Sequence, residues 1–123
     1  ALLECFDIPD CGAATVMSSD LPLPKYPHIL EGVYGPFMMF ETHWRLDEKT
    51  FPFFFSDTDL VMRIYESGKR MYRNYRVTIE HMNRQSVHIK GDQDYLAARE
   101  RFRVKHQGSH LLMYRLLFEG LIV

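Results

Sequence analysis

Two aspartates one residue apart, Asp57 and Asp59, directly follow the aromatic run Phe51–Phe55. A carboxylate beside apolar side chains is unusual, because ionised groups lose hydration there. Loss of water raises the basicity of a carboxylate, which a general base requires. The alternative is structural, since acidic residues in the first turn of a helix complement its dipole. On spacing alone, the structural alternative is the stronger one.

His81 and Trp44 are further candidates for chemistry. His81 ends an alternating segment, where site residues collect in open sheets, and histidine is a metal ligand. Taken alone, a histidine there more often packs or caps. Trp44 offers a ring on which a substrate can stack, but a core position is the simpler explanation.

A helix spanning about 57–67 must position the two aspartates. Ser56 is a suitable N-cap, and Leu60 and Ile64 form an apolar stripe. Gly68 fits the position after the last helical turn. The helix therefore presents both aspartates in its first turn.

The remaining elements alternate between strands and helices. Residues 12–17 and 32–40 read as buried strands, the second interrupted at Gly35-Pro36, with a long proline-containing loop between them. Residues 71–81 read as a half-buried strand with Tyr75, Val77 and Ile79 on its apolar face. Short helical segments are expected at 1–6 and 41–46, and longer ones at 92–106 and 111–123.

Composition narrows the class of protein. The 123 residues suit one domain, and a net charge of −1 gives no electrostatic footprint for nucleic acid. No segment approaches the roughly 20 apolar residues of a membrane span. Cys5 and Cys11 are too few for a disulfide framework, so a cytoplasmic location is expected. The apolar segment 111–123 favours packing on the body or a partner, with a membrane-surface helix as the alternative.

The order and spacing of several motifs resemble family-2-type inverting glycosyltransferases of the GT-A fold. The family places a G-x-F-M strand before a D-E-x-F-F turn, then an E-D-x-D-L helix start, a strand ending in histidine, and an R-x-x-F-x-x-K-like helix. The corresponding segments here are Gly35–Phe40, Leu46–Glu48 with Phe51–Phe55, Ser56–Leu60 closed by Ser67–Arg70, Val77–His81 followed by Ser86, and Arg99–Lys105.

The resemblance implies a role for each matched residue. Asp57 would be the general base, and Asp59 would tie the helix to its surroundings. The substrate-binding set would be Trp44, Phe54, Phe55, Gly35 and Arg84. His81 would contribute to a divalent metal site (Mn or Mg) that a D-x-D motif completes in the family. The partners would be a nucleotide-sugar donor and a carbohydrate-type acceptor.

Two departures from the family pattern matter. Ser56 replaces the glutamate before the base, and the D-x-D motif of the nucleotide-binding half is absent from these residues. The expected fold is therefore α/β, a partial GT-A (Rossmann-like) mixed sheet with flanking helices that lacks the N-terminal half. Residues 1–106 would form the acceptor-side part and 107–123 an apolar C-terminal helix. We expect this chain alone to be inactive. The alternative is a non-catalytic fragment or interaction module that pairs with a partner chain or a second copy.

Overall fold

The structure, a computed structural model, describes residues 2–18, 29–31, 38–79 and 92–120. A short 3-10 helix, Leu2–Asp7, precedes the first strand. The strands are β1 (Cys11–Ser18), β2 (Ile29–Glu31), β3 (Met38–Phe40) and β4 (Arg70–Ile79). The helices are α1 (Ser56–Glu66), α2 (Asp92–Lys105) and α3 (Leu112–Phe118). The protein is mixed α/β, as predicted.

The four strands in these ranges form one sheet in the order β2-β4-β1-β3. β1 and β4 are parallel, while β3 and β2 pair antiparallel with β1 and β4 respectively. The prediction that segments 12–17, 32–40 and 72–81 share a sheet is confirmed for their described parts. The three-residue strand β2 lies inside the segment predicted to be a loop, where the tripeptide Ile-Leu-Glu was too short to be recognised.

The predicted alternation of β4 is wrong at its centre. Asn74, expected on the polar face, is fully buried, whereas Tyr75 is half-buried. The pairing with β1 jumps here, since Val16 pairs with Asn74 but the next residue, Met17, pairs with Thr78. The Asn74 Oδ1 atom accepts a hydrogen bond from the Arg76 backbone N–H at 3.0 Å. A side-chain turn of this kind absorbs the extra residues and satisfies a buried amide.

Helix α1 matches its prediction in span and in buried stripe. Leu60 and Ile64 are both fully buried, and Gly68 adopts a positive φ of 91° just beyond the last turn. The cap differs, because the first helical hydrogen bond runs from the Asp59 N–H to the Phe55 carbonyl at 2.8 Å. Ser56 is thus the first helical residue, and Phe55 occupies the cap position expected for Ser56.

The chain divides into two compact units, each built from two stretches. The first comprises 1–45 and 63–83, and the second comprises 46–62 and 84–123. The first unit contains the sheet and a buried cluster that includes Leu2, Cys5, Ala14 and Val16. The second contains α2, α3 and a cluster of Phe51, Met62, Phe102 and Tyr114. The segment 41–46, expected to be a helical turn, is a turn closed by the Trp44 N–H and the Glu41 carbonyl at 3.1 Å.

Candidate functional site

Asp57 is an exposed carboxylate in the first turn of α1. Its Oδ1 atom accepts hydrogen bonds from the Thr58 backbone N–H at 2.8 Å and from the Thr58 hydroxyl at 3.4 Å. These local bonds restrict the rotation of the carboxylate while leaving it open to solvent. Asp57 is therefore a solvent-accessible carboxylate at the N-terminus of α1.

Asp59, two residues later, has the opposite environment. It is fully buried, and its Oδ1 atom lies 2.7 Å from His106 Nε2 and 2.9 Å from Lys105 Nζ. His106 is itself buried and packs against the Phe102 ring at 4.7 Å between centroids. A buried carboxylate requires such partners, because an unpaired buried charge is strongly destabilising. Asp59 thereby connects the first turn of α1 to the end of α2.

Lys105 contacts a second carboxylate, Asp47, in addition to Asp59. Its Nζ atom lies 2.9 Å from Asp47 Oδ2, and the Thr50 backbone N–H donates to Asp47 Oδ1 at 3.1 Å. The hydrogen bond from Lys105, and after it the bonds from Thr50, hold the pKa of Asp47 well below its usual range. Burial opposes the charge on Lys105, but the bonds to Asp47 and Asp59 outweigh it and raise the pKa of Lys105. We call Asp47, Asp59, Lys105 and His106 the charged cluster.

The aromatic run does not desolvate Asp57, contrary to the expectation from sequence. Phe51 and Phe54 are buried, and Phe54 meets the Tyr95 ring edge-on at 5.6 Å. Phe55 packs between Tyr95 and Phe102, each at 5.3 Å. The run turns inward because α2 offers it an aromatic surface. Phe54 and Phe55 thus lie in the packing of the second unit, and Phe53 is the exposed member, at 58%.

Phe55 has a strained backbone immediately before the helix. Its φ is +70°, in the left-handed region that non-glycine residues seldom adopt. This conformation costs about 1–2 kcal/mol, so packing on Tyr95 and Phe102 must hold it. Strained residues of this kind collect at functional sites, which adds weight to the first turn of α1 as a site.

Trp44 belongs to the first unit and lies in the turn after β3. Its ring lies 5.0 Å from the His43 ring, at a tilted angle. Its indole Nε1 atom is buried, and the described residues supply no hydrogen-bond partner for it.

Three predicted site residues, His81, Gly35 and Arg84, lie outside the described residues. Nothing in the structure bears on their roles. Within the described ranges, no group of three or more histidine, cysteine, aspartate or glutamate side chains is placed to hold a metal ion. The metal site expected from the resemblance stays a prediction.

Sequence analysis assigned no site role to Lys105 or His106. One signal was available, because every fourth position from the middle of α2 to the residue after it is buried, namely Ala98, Phe102 and His106. A histidine on such a stripe needs a buried polar partner, and Asp59 is that partner. The pairing itself spans 47 positions, which spacing along the chain does not reveal.

Comparison with known proteins gives no relative to guide the assignment. No family model, no curated protein and no solved structure matches this chain. None of the helices in the described ranges combines the length and apolar character needed to cross a membrane.

Proposed function

We propose that this chain forms the acceptor side of an inverting glycosyltransferase of the GT-A type, with Asp57 as the general base. The proposal rests on the motif order in the sequence. One structural observation supports it, namely that Asp57 is exposed whereas Asp59, two residues away, is buried in the charged cluster. An accessible carboxylate at Asp57 can meet an acceptor, whereas the buried Asp59 can only hold the helix in place.

The reaction assigns Asp57 a single step. Its carboxylate takes the proton from an acceptor hydroxyl, and the hydroxyl oxygen forms a bond to the anomeric carbon of the donor sugar. The bond from that carbon to the diphosphate oxygen breaks, so nucleoside diphosphate leaves and the configuration inverts. A positioned general base contributes typically about 10²–10⁴-fold to such a rate.

Acceptor binding is assigned to exposed groups near the base in sequence. Phe53 presents its ring to solvent four residues before Asp57, and the apolar face of a sugar can stack on such a ring. Phe54 and Phe55 then act by shaping the turn rather than by touching the acceptor. Trp44, which the resemblance also assigns to acceptor binding, stays a prediction.

The test uses the natural full-length product that contains this chain. Release of nucleoside diphosphate is followed with a panel of nucleotide sugars and simple glycoside acceptors. Asp57→Asn should lower kcat about 10²–10⁴-fold while donor affinity stays the same, because the amide keeps the shape but accepts no proton. Asp94→Asn is the matched control, since Asp94 is also an exposed aspartate in the first turn of a helix. Equal rates for the two variants would contradict the proposal.

A second candidate function is an interaction module without catalysis. Leu112 and Leu116 lie one turn apart on α3, and each is 56% exposed. Adjacent exposed leucines on a helix favour association with another chain. This candidate predicts that Asp57→Asn has no effect on any reaction, whereas Leu112→Glu with Leu116→Glu shifts the sedimentation of the protein.

A further inference from the structure

We infer that α2 is the positioning element of Asp57: it holds the first turn of α1 at two points, one on each side of that residue. The inference rests on the proposed function for its catalytic meaning. The geometry on which it depends lies within the second unit. It assigns Lys105, His106, Tyr95 and Phe102 positioning roles, since each acts through another residue.

The first point precedes Asp57. Phe55 carries the strained positive φ, and its ring lies 5.3 Å from both Tyr95 and Phe102 of α2. The left-handed backbone at Phe55 turns the chain sharply into the helix. Without the aromatic contacts, Phe55 would relax to a negative φ and the direction of the first turn would change.

The second point follows Asp57. Asp59 Oδ1 lies 2.7 Å from His106 Nε2 and 2.9 Å from Lys105 Nζ; Lys105 is the last residue of α2, and His106 follows it directly. The Asp59 N–H also closes the first turn on the Phe55 carbonyl. The two points are therefore joined by the hydrogen bond that defines the turn containing Asp57.

Because Phe55 and Asp59 are both held by contacts, helical geometry fixes the direction of the Asp57 side chain between them. Successive residues advance by about 100°, so residues two apart point in nearly opposite directions. With Asp59 fixed toward α2, the side chain of Asp57 is directed to solvent, as its exposure shows. Rotation of the turn about the helix axis would move both carboxylates together.

The buried ion pair between Asp59 and Lys105 is better explained by positioning than by stability. Replacing a buried ion pair with apolar residues is often neutral or stabilising, because desolvation offsets the attraction. Hydrogen bonds from two donors, however, fix the angle of Asp59 more narrowly than apolar contacts do. A reacting base needs that narrow angle, since a misplacement of about 1 Å can cost 10²-fold in rate.

The experiment compares His106→Leu with His106→Gln. Glutamine can still donate to Asp59 from a similar position, whereas leucine fills the space without a donor. Two quantities are measured: kcat with donor KM in the natural full-length product, and the chemical shift of the Thr58 amide proton, which donates to Asp57 Oδ1. Val16→Ala is the control, because it removes a buried contact of the first unit, which contains neither anchor.

We expect His106→Leu to lower kcat by up to about 100-fold at unchanged donor KM and to shift the Thr58 amide signal. His106→Gln should restore both, and Val16→Ala should lower stability with neither change. If His106→Leu leaves the Thr58 signal where it is, or if glutamine does not restore it, the positioning role is refuted. Should His106→Leu fail to fold, Lys105→Met makes the same comparison at a partly exposed residue.

The two proposals fail separately. If Asp57→Asn leaves transfer intact, the proposed function falls, but the Thr58 signal still reports whether α2 orients this turn. If the signal is insensitive to His106 while Asp57→Asn abolishes transfer, the base stands and only the positioning role is lost.

Discussion

At the scale of single residues, the two aspartates separate by burial rather than by type. Asp59 is fully buried against His106 and Lys105, so Asp59→Asn should lower the free energy of unfolding by about 3 kcal/mol. Asp57→Asn removes only an exposed group near a helix dipole, which is worth about 0.3–1 kcal/mol. Urea unfolding of both variants measures the difference. Equal losses would show that the contacts of Asp59 do not stabilise the protein.

Asp47 gives a pH dependence with a defined sign. Its folded-state pKa is depressed chiefly by the Lys105 hydrogen bond, while an unfolded aspartate titrates near about 3.9. The stabilisation is therefore fully present above the unfolded pKa and is lost as the pH falls below about 4. Asp47→Asn should flatten the decline of the urea midpoint between about pH 5 and 2. Lys105→Met removes the hydrogen bond that lowers the pKa of Asp47 and should have the same effect. If the urea midpoint declines with pH as steeply in both variants as in the unaltered protein, the role of Asp47 is contradicted.

At the scale of elements, β1 approaches α1 closely at Gly12. A Cβ atom added at Gly12 would lie 2.8 Å from Ile64 Cγ2 and 3.0 Å from Lys69 Cβ. Gly12→Ala should therefore cost about 1–3 kcal/mol through overpacking, which exceeds the gain of about 0.4–1 kcal/mol from a less flexible unfolded chain.

A double-mutant cycle identifies the cause of that cost. Combined with Ile64→Ala, Gly12→Ala should cost less than it does alone, because the clashing methyl is gone. Gly68→Ala is the control: its cost comes from a positive φ in open space, so it should add to Ile64→Ala without coupling. Strict additivity in both pairs, measured by urea unfolding, would refute the clash.

Local sequence patterns predicted an element well where its bounds depend only on residues close by in the sequence. The α1 span followed from the Leu60–Ile64 stripe and Gly68, which depend only on neighbouring residues. The cap was wrong by one residue because aromatic packing on α2 overrides the intrinsic preference of Phe55 for negative φ. Likewise, Asn74 is buried because a register jump in the sheet, set by pairing with β1, reverses the local alternation.

The candidate site was predictable only in part for the same reason. Asp57 and Asp59 were identified from a motif of five residues, Ser56–Leu60. The charged cluster depends on contacts of Lys105 and His106 with Asp59, which lies more than 40 positions earlier in the sequence. No local sequence pattern predicts such a contact. The aromatic run was identified as a solvent-excluding wall, but which of its rings turn inward depends on Tyr95 and Phe102.

At the scale of the whole molecule, each unit has its own buried cluster, and neither unit is a continuous stretch of chain. The divisions fall between 45 and 46, between 62 and 63, and between 83 and 84. Asp57, Asp59 and the charged cluster all belong to the second unit, whereas Trp44 belongs to the first. Expressing either unit alone would therefore require joining two separated segments, so the proposed roles are best tested in the intact protein.

The last prediction concerns donor binding by the 123-residue chain. A nucleotide diphosphate needs a phosphate cradle, such as a glycine-rich loop, or an acidic pair that holds a metal. The sequence contains no glycine-rich loop, and Ser18-Ser19-Asp20 lacks the first aspartate of a D-x-D motif. We therefore expect calorimetric titration of this chain with nucleotide sugars and Mn²⁺ to give a Kd weaker than about 1 mM, which is a binding free energy of only about −4 kcal/mol. The control is the natural full-length product titrated under the same conditions, which should bind at least tenfold more tightly if it carries the donor-binding half. A micromolar Kd for the 123-residue chain would show that these residues build a donor site by themselves, and the division into donor and acceptor sides would then be wrong.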